Sequence, residues 1–275
     1  MARNVLITGG NSGIGLEMAR ELAGRGDRVL IVARDQAKSQ AAIADIKVTH
    51  PNAQIETLAL DLGDFANIDQ FAAALLARMP LIDVLILNAG LFTMPLHKLP
   101  SGYEAMIGVM HFGHFRLVQR ILDAVKAAAQ GRIVVTSSLM HKFGRIDQAS
   151  FTDPKRHRFG ILAYGQAKLA NLIFTRELAR RLAGTRITVN AFHPGAVATG
   201  IYRETPSLPR RVALAFMLSP QKGADTAIWL ATAPEAAKFN GEYFVKRKIA
   251  ASTAMSRDIG LAKQLWDLSE QASVI

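Results

Sequence analysis

Thr8-Gly9-Gly10-Asn11-Ser12-Gly13-Ile14-Gly15 lies between a short apolar run, Val5-Leu6-Ile7, and an amphipathic stretch over 13–25. Strand before and helix after is the context in which a glycine-rich turn can cradle a dinucleotide. Gly9 permits a tight turn, Gly13 lets backbone approach a pyrophosphate, and Gly15 lets the helix pack close on the strand. The helix N-terminus then presents free N–H groups to the phosphates. Asn11, Ser12 and Ile14 fill the same loop and are expected at the same ligand.

Outward from the loop, β-branched runs alternate with longer helical patterns. The spacing predicts strands at Val5–Thr8, Val29–Ala33, Ile55–Leu60, Val84–Leu87, Ile133–Thr136, Ile187–Ala191 and Tyr243–Val245. Amphipathic segments fall at 13–25, 36–48, 65–78, 102–129, 161–183 and 222–232. The strands are continuously apolar, as when both faces are buried. This alternation predicts an α/β fold of the Rossmann type: a doubly wound parallel sheet of about seven strands with helices on both faces. A chain of 275 residues suits one such domain over 1–275 and is short for two. Neither repeats nor a Pro/Gly-rich linker divide it.

The chain has no cysteine, which excludes disulfides and Cys-based zinc sites. The start carries no signal-peptide pattern and no apolar run is long enough to span a bilayer. The sequence is therefore read as soluble, cytoplasmic and without an N-terminal anchor. The net charge of +11 could attract nucleic acid, but the basic residues are scattered. The clusters Lys155-Arg156-His157-Arg158, Arg210-Arg211 and Lys246-Arg247-Lys248 are not interleaved with stacking aromatics, so no nucleic-acid partner is expected.

The second strand ends Ala33-Arg34-Asp35. An acidic side chain at Ala33 would hold the ribose hydroxyl of NAD; alanine cannot, and Arg34 is suited to a 2′-phosphate. NADP(H) is thus expected over NAD(H), with Asp35 at the ribose as the competing reading. Asp61, after the third strand, is placed to touch the adenine, and Leu62 beside it is expected at the cofactor. Asn88-Ala89-Gly90, after the fourth, offers a small-residue turn for close backbone approach.

Tyr164 and Lys168 stand four apart at the start of a helical stretch, which places them on one face a turn apart. A free tyrosine has a pKa of about 10, and a nearby ammonium lowers it toward a useful range for acid–base work. Ser138, ending the fifth strand, can hydrogen-bond a reacting oxygen.

Thr8–Gly15, Asn88-Ala89-Gly90, Ser138, Tyr164-x-x-x-Lys168 and Pro194-Gly195-x-Val197-x-Thr199 together resemble the short-chain dehydrogenases/reductases. Gly113-His114-Phe115, Ser137–Lys142, Gln166–Asn171 and Leu265-Trp266-Asp267-Leu268-Ser269 bring the resemblance closer to the retinol dehydrogenase and protochlorophyllide reductase-like branch, over about residues 4 to 270. The resemblance implies that Tyr164 is the acid/base, that Lys168 lowers its pKa and binds the nicotinamide ribose, and that Ser138 orients the carbonyl or hydroxyl. It also implies that Pro194, Gly195, Val197 and Thr199 hold the nicotinamide end. Assembly as a dimer or tetramer through the 102–129 and 161–183 helices is implied by resemblance, and Ala163, Ala167 and Ala170 suit close helix packing.

One position departs from the pattern. Where the family usually has Asn before Gly-His-Phe, this chain has Met110, followed by His111. In the family that Asn supports a helix distortion and a water that feeds protons to the lysine. A slowed or rerouted relay is the expectation here, with only a backbone carbonyl left to hold water. Aromatic and methionine residues suit a bulky, lipophilic carbonyl or alcohol substrate. They are Tyr202, Leu208, Leu214, Phe216, Met217 and Leu218 in an expected lid over 196–220, with Phe92, Met94, Met140 and Phe143 opposite. Two further readings are an NADP(H)-binding sensor or scaffold with little turnover, and a double-bond reductase acting on a large conjugated ring.

Overall fold

The computed structural model describes residues 2–195 and 218–273. Its centre is β1 (Asn4–Thr8), whose Val5, Leu6 and Ile7 are wholly buried on both faces. To one side lie β2 (Arg28–Ala33) and β3 (Ile55–Ala59), and to the other β4 (Val84–Leu87), β5 (Arg132–Thr136), β6 (Thr188–His193) and β7 (Tyr243–Val245). The order is β3-β2-β1-β4-β5-β6-β7-β8, parallel throughout except for the last strand. That eighth strand, β8 (Lys248–Ile249), was not expected; it turns back on β7 through Lys246 and Arg247, both at positive φ (51° and 61°). Such a turn normally announces itself with Asn or Gly, and here the sequence carries neither.

One face of the sheet is covered by α1 (Gly13–Gly24), α2 (Gln36–Thr49) and α7 (Pro220–Thr232). Met18, Leu22, Ile43, Ile46 and Ala227 fill that side against Ile7, Ile31 and Ile86. The other face carries α3 (Phe65–Arg78), α5 (His114–Lys126) and α6 (Gly160–Arg181), with Phe71, Leu75, Phe115, Leu172 and Phe174 packed on Leu6, Leu85 and Ile133. These are the two layers expected of a doubly wound sheet. The sheet's order reverses between β1 and β4, and the crevice beyond their carboxyl ends is where such folds bind ligands.

Ahead of α5, a short turn α4 (Ala105–Ile107) runs into a π-helical segment, Gly108–Gly113, centred on Met110 and His111. The single helix expected over 102–129 is therefore broken in its middle. His111, fully buried, bonds Ser269 on the last helix, α8 (Ile259–Ala272), at 2.8 Å. Ser269 Oγ donates to Leu265 O at 2.7 Å, so it must accept from His111 Nε2–H. Burial holds the His111 pKa down to about 3, and the residue is a neutral structural tie.

α8 lies over α5 and α6. Trp266 stacks on Phe174 (6.1 Å, 10° between planes), meets Phe115 edge-on at 4.9 Å, and lies under the Arg181 guanidinium at 4.1 Å. Ala163, Ala167 and Ala170 are buried in the same packing, among Met106, Ile173, Ala262 and Leu265. The close approach these small residues permit is thus used inside the chain. Trp266→Ala would empty the space shared by two aromatic rings, and an urea titration should record a loss of about 3–5 kcal/mol in unfolding free energy.

Candidate functional site

The glycine loop rises from β1 and turns back into α1 with Gly9 and Gly13 at positive φ (67° and 55°). A Cβ on Gly15 would sit 2.2 Å from Gly9 O, so only glycine lets α1 begin against its own strand. The helices α2, α3 and α8 each start with an aspartate bonded to their first N–H groups. α1 starts at Ser12, whose side chain makes no such bond, so its leading amides are left for a ligand.

From this loop a cleft of about 580 Å³ runs across the ends of β1, β4, β5 and β6. It brings together Gly9, Asn11, Ser12, Gly13, Ile14, Gly15, Arg34, Asn88, Ala89, Gly90, Ser138, Tyr164, Lys168, Pro194 and Gly195. Val197, Thr199 and most of the expected lid lie outside the described residues; Leu218, at its far end, packs over the backbone of Gly195.

Two of the residues expected at the cofactor lie outside the cleft lining. Asp61 is turned into its own loop, where its carboxylate accepts from Gly63 N at 2.8 Å. Leu62 is a buried core residue beneath α5. Neither lines the cleft. Of the expected substrate-side residues, Phe92 lines the cleft and meets Tyr164 edge-on at 5.9 Å, whereas Met94, Met140 and Phe143 do not line it. In their place stand Leu91, Thr93, His97, Leu99, Ala105 and Val109, from the loop after β4 and the start of the π segment. No periodic signal marks that loop, which is why sequence patterning passed over it.

At the Arg34 end of the cleft, Asp35 caps α2, accepting from Lys38 N at 2.9 Å, and does not itself line the cleft. Lys38 lines it beside Arg34. The signal for Lys38 was present in the sequence: an Asp that caps a helix spends its carboxylate on the amide three residues later. Asn11 and Asn88 act as builders of the loop. Asn11 Nδ2 donates to Asp35 O and Ser39 Oγ, and Asn88 Nδ2 to Thr8 O.

At the other end, Tyr164 and Lys168 share a face of α6, with the Lys168 ammonium 5.5 Å from the tyrosine ring centre. Lys168 is buried and donates to Thr136 O at 3.2 Å. Burial lowers its pKa from 10.5 to about 8. Ser138 caps a short turn through Met140 N at 3.2 Å. Met110 Sδ lies next to Gly90, and a Cβ there would also approach Lys168 Nζ. The Met110 carbonyl accepts from the His114 ring at 3.0 Å.

An open parallel sheet with an uncapped helix at a reversal point, two cations at one end of the cleft and a Tyr–Lys pair at the other defines a nucleotide-dependent oxidoreductase of the Rossmann class. Residues 3–208 match the family model described as short chain dehydrogenase, and the chain belongs to that family. It is 38% identical to retinol dehydrogenase 14 of Mus musculus, over 98% of this chain and 85% of the relative. Among solved structures it resembles an uncharacterized protein from Mycobacterium paratuberculosis (33% identity, TM-score 0.80, covering 99% and 93% of the two chains). It also resembles an actinorhodin polyketide ketoreductase solved with NADPH (26% identity, TM-score 0.69, 88% and 95%). Among the described residues no helix is long and apolar enough to cross a membrane.

Burying the Lys168 cation costs stability wherever the unfolded chain would hold the same proton. That cost is complete below pH about 8 and is relieved as pH rises from there to 10.5. At 1.36 kcal/mol per pKa unit it is roughly 3 kcal/mol. Lys168→Met leaves Thr136 O bonded to Asn171 Nδ2. The variant should therefore be more stable than the parent at neutral pH, with the gap closing in chemical denaturation runs taken toward pH 10.5.

Proposed function

We propose that the chain is an NADP(H)-dependent oxidoreductase that interconverts a carbonyl and an alcohol on a bulky lipophilic substrate. The observation that carries the reading is one cleft with Arg34 and Lys38 at one end and Ser138, Tyr164 and Lys168 at the other. The cleft fits a dinucleotide. Gly15 and Gly90 both line it without side chains, and a Cβ on Gly15 would sit 2.2 Å from Gly9 O, so small residues keep the cleft floor open to a pyrophosphate. The two cations suit a 2′-phosphate, and the carboxylate that would have favoured a bare ribose is engaged as a helix cap. Bound in this cleft, a nicotinamide nucleotide supplies hydride to, or accepts it from, the substrate carbon.

The chain's own residues manage the oxygen and its proton. Ser138 holds the substrate oxygen by a hydrogen bond. Tyr164 donates its phenolic proton to that oxygen on reduction and takes the proton back on oxidation. The Lys168 ammonium favours the phenolate and so eases both transfers. The apolar side chains of Leu91, Phe92, Leu99 and Val109 form the wall against which a lipophilic substrate would pack and exclude water. The relative's name, retinol dehydrogenase 14, supports an isoprenoid alcohol or aldehyde as the first substrate to try. The cytoplasmic setting expected from the sequence accompanies this reading.

Tyr164→Phe should lower the rate of NADPH-dependent reduction of all-trans-retinal and long-chain aldehydes by about 10²–10⁴-fold, with NADPH still bound in calorimetry. Retained turnover would remove Tyr164 from the mechanism. Arg34→Ala and Lys38→Ala should each weaken NADPH by about 10–100-fold, the scale of a charge-assisted hydrogen bond, and leave NADH affinity nearly as it was. Equal losses for the two nucleotides would argue against the 2′-phosphate reading.

A further inference from the structure

His114 is buried at the first turn of α5, just beyond the π segment, and no role follows for it from the cleft-lining residues. Its ring makes two contacts. Nδ1 lies 3.0 Å from Met110 O, and Nε2 lies 2.9 Å from Thr8 Oγ1. Proton bookkeeping fixes the direction of both. A carbonyl only accepts, so Nδ1 carries a hydrogen. Thr8 Oγ1 already accepts two backbone N–H bonds, from Asn88 and from Ala89, each 2.9 Å, which uses both of its lone pairs. Its single hydrogen must therefore go outward, to Ile86 O at 3.4 Å or to His114 Nε2 at 2.9 Å, and the shorter, acceptor-bearing ring nitrogen takes it. A ring charged on both nitrogens would aim N–H at an oxygen with no lone pair left.

The backbone N–H of His114 meanwhile bonds His111 O, so the imidazole takes the carbonyl one residue earlier, which a regular helix would fill with backbone. The ring thus joins the distorted helix to the last residue of β1. Thr8 in turn holds the Asn88-Ala89 turn against the glycine loop, both of which line the nucleotide cleft.

We propose that His114, neutral and protonated on Nδ1, is a positioning residue for the nucleotide: it orients the Thr8 hydroxyl and thereby transmits the shape of the π segment to the loop–turn pair that forms the cleft floor. The proposal rests on the cleft being a nucleotide site, but the strut itself can be read without nucleotide.

The first test is 15N spectroscopy of histidine-labelled protein near neutral pH, with the His114 signal assigned by its loss in His114→Phe. A proton on Nδ1 with a bare Nε2 is expected; a proton on Nε2, alone or in addition, overturns the proposal whatever binds. Next, NADPH affinity is measured by calorimetry for His114→Phe, Thr8→Val and the double variant. His114→Phe should weaken binding by about tenfold, the scale of one oriented hydrogen bond. Thr8→Val, which also strips the Asn88 and Ala89 N–H groups of their acceptor, should weaken it at least as much, and the double variant should be little worse than Thr8→Val alone, because the His114 link acts only through that hydroxyl. Unchanged affinity in His114→Phe, or losses that multiply in the double variant, overturns it. If the parent protein binds no NADPH, the nucleotide reading fails, and amide exchange then judges the strut: the Asn88 and Ala89 N–H groups should exchange at least about tenfold faster in His114→Phe, and unchanged exchange refutes it.

Discussion

The hydroxyl of Thr8 is the point at which the two halves of the sheet are fastened together. It lies at the end of the central strand, fully buried, and receives both amides of the turn that follows β4. Parallel strands do not bond to each other beyond their last rung, so the chain that leaves β1 and the chain that leaves β4 would otherwise part at the reversal point. The Thr8 hydroxyl prevents this, together with the Asn88 amide, which donates back to Thr8 O. Because Gly15 then lies within contact of Gly9 O and Asn88 Nδ2, the same fastening sets where α1 can begin and which way its amides point. Most of the cleft's geometry descends from that local arrangement.

What was legible in the sequence is what local periodicity encodes. The loop at 8–15, the strands from Val5 to Val245 and the Tyr164–Lys168 spacing all follow from short-range patterns, and the fold class with them. Side-chain direction at strand ends was less legible. Asp61 and Leu62 occupy the expected place in the chain but do not line the cleft: the Asp61 carboxylate accepts from its own turn and Leu62 is buried in the core. Arg34 could be read from the residue that alanine replaces, and Lys38 only through the capping position of Asp35, whose carboxylate is engaged on the Lys38 amide. The β7–β8 turn and the helix α8 were missed for opposite reasons. The turn lacks its usual residues, and the helix, though well patterned, gave no hint that it would close over α5 and α6.

The charge of the chain also resolves into local purposes. Arg116 and Arg120 grip Asp69, Arg180 and Arg181 share Glu177, and Arg3 holds Asp27. Arg116 and Arg120 tie α5 to α3, whereas Arg180 and Arg181 bond within α6 and Arg3 joins the residue before β1 to the residue before β2. In the cleft the cations are held apart, Arg34 and Lys38 at one end and Lys168 at the other.

The position of Trp266 also bears on how the molecule is made. The helix that carries it leaves the ribosome after every element it covers, and its indole packs on both Phe115 and Phe174. The nascent chain can form its sheet and its nucleotide loop early, because those contacts come from residues already emerged. It cannot seal the far side of α5 and α6 until Trp266 arrives. During that interval an oily seam stays open to water, and chaperones that bind exposed aromatics would find it there.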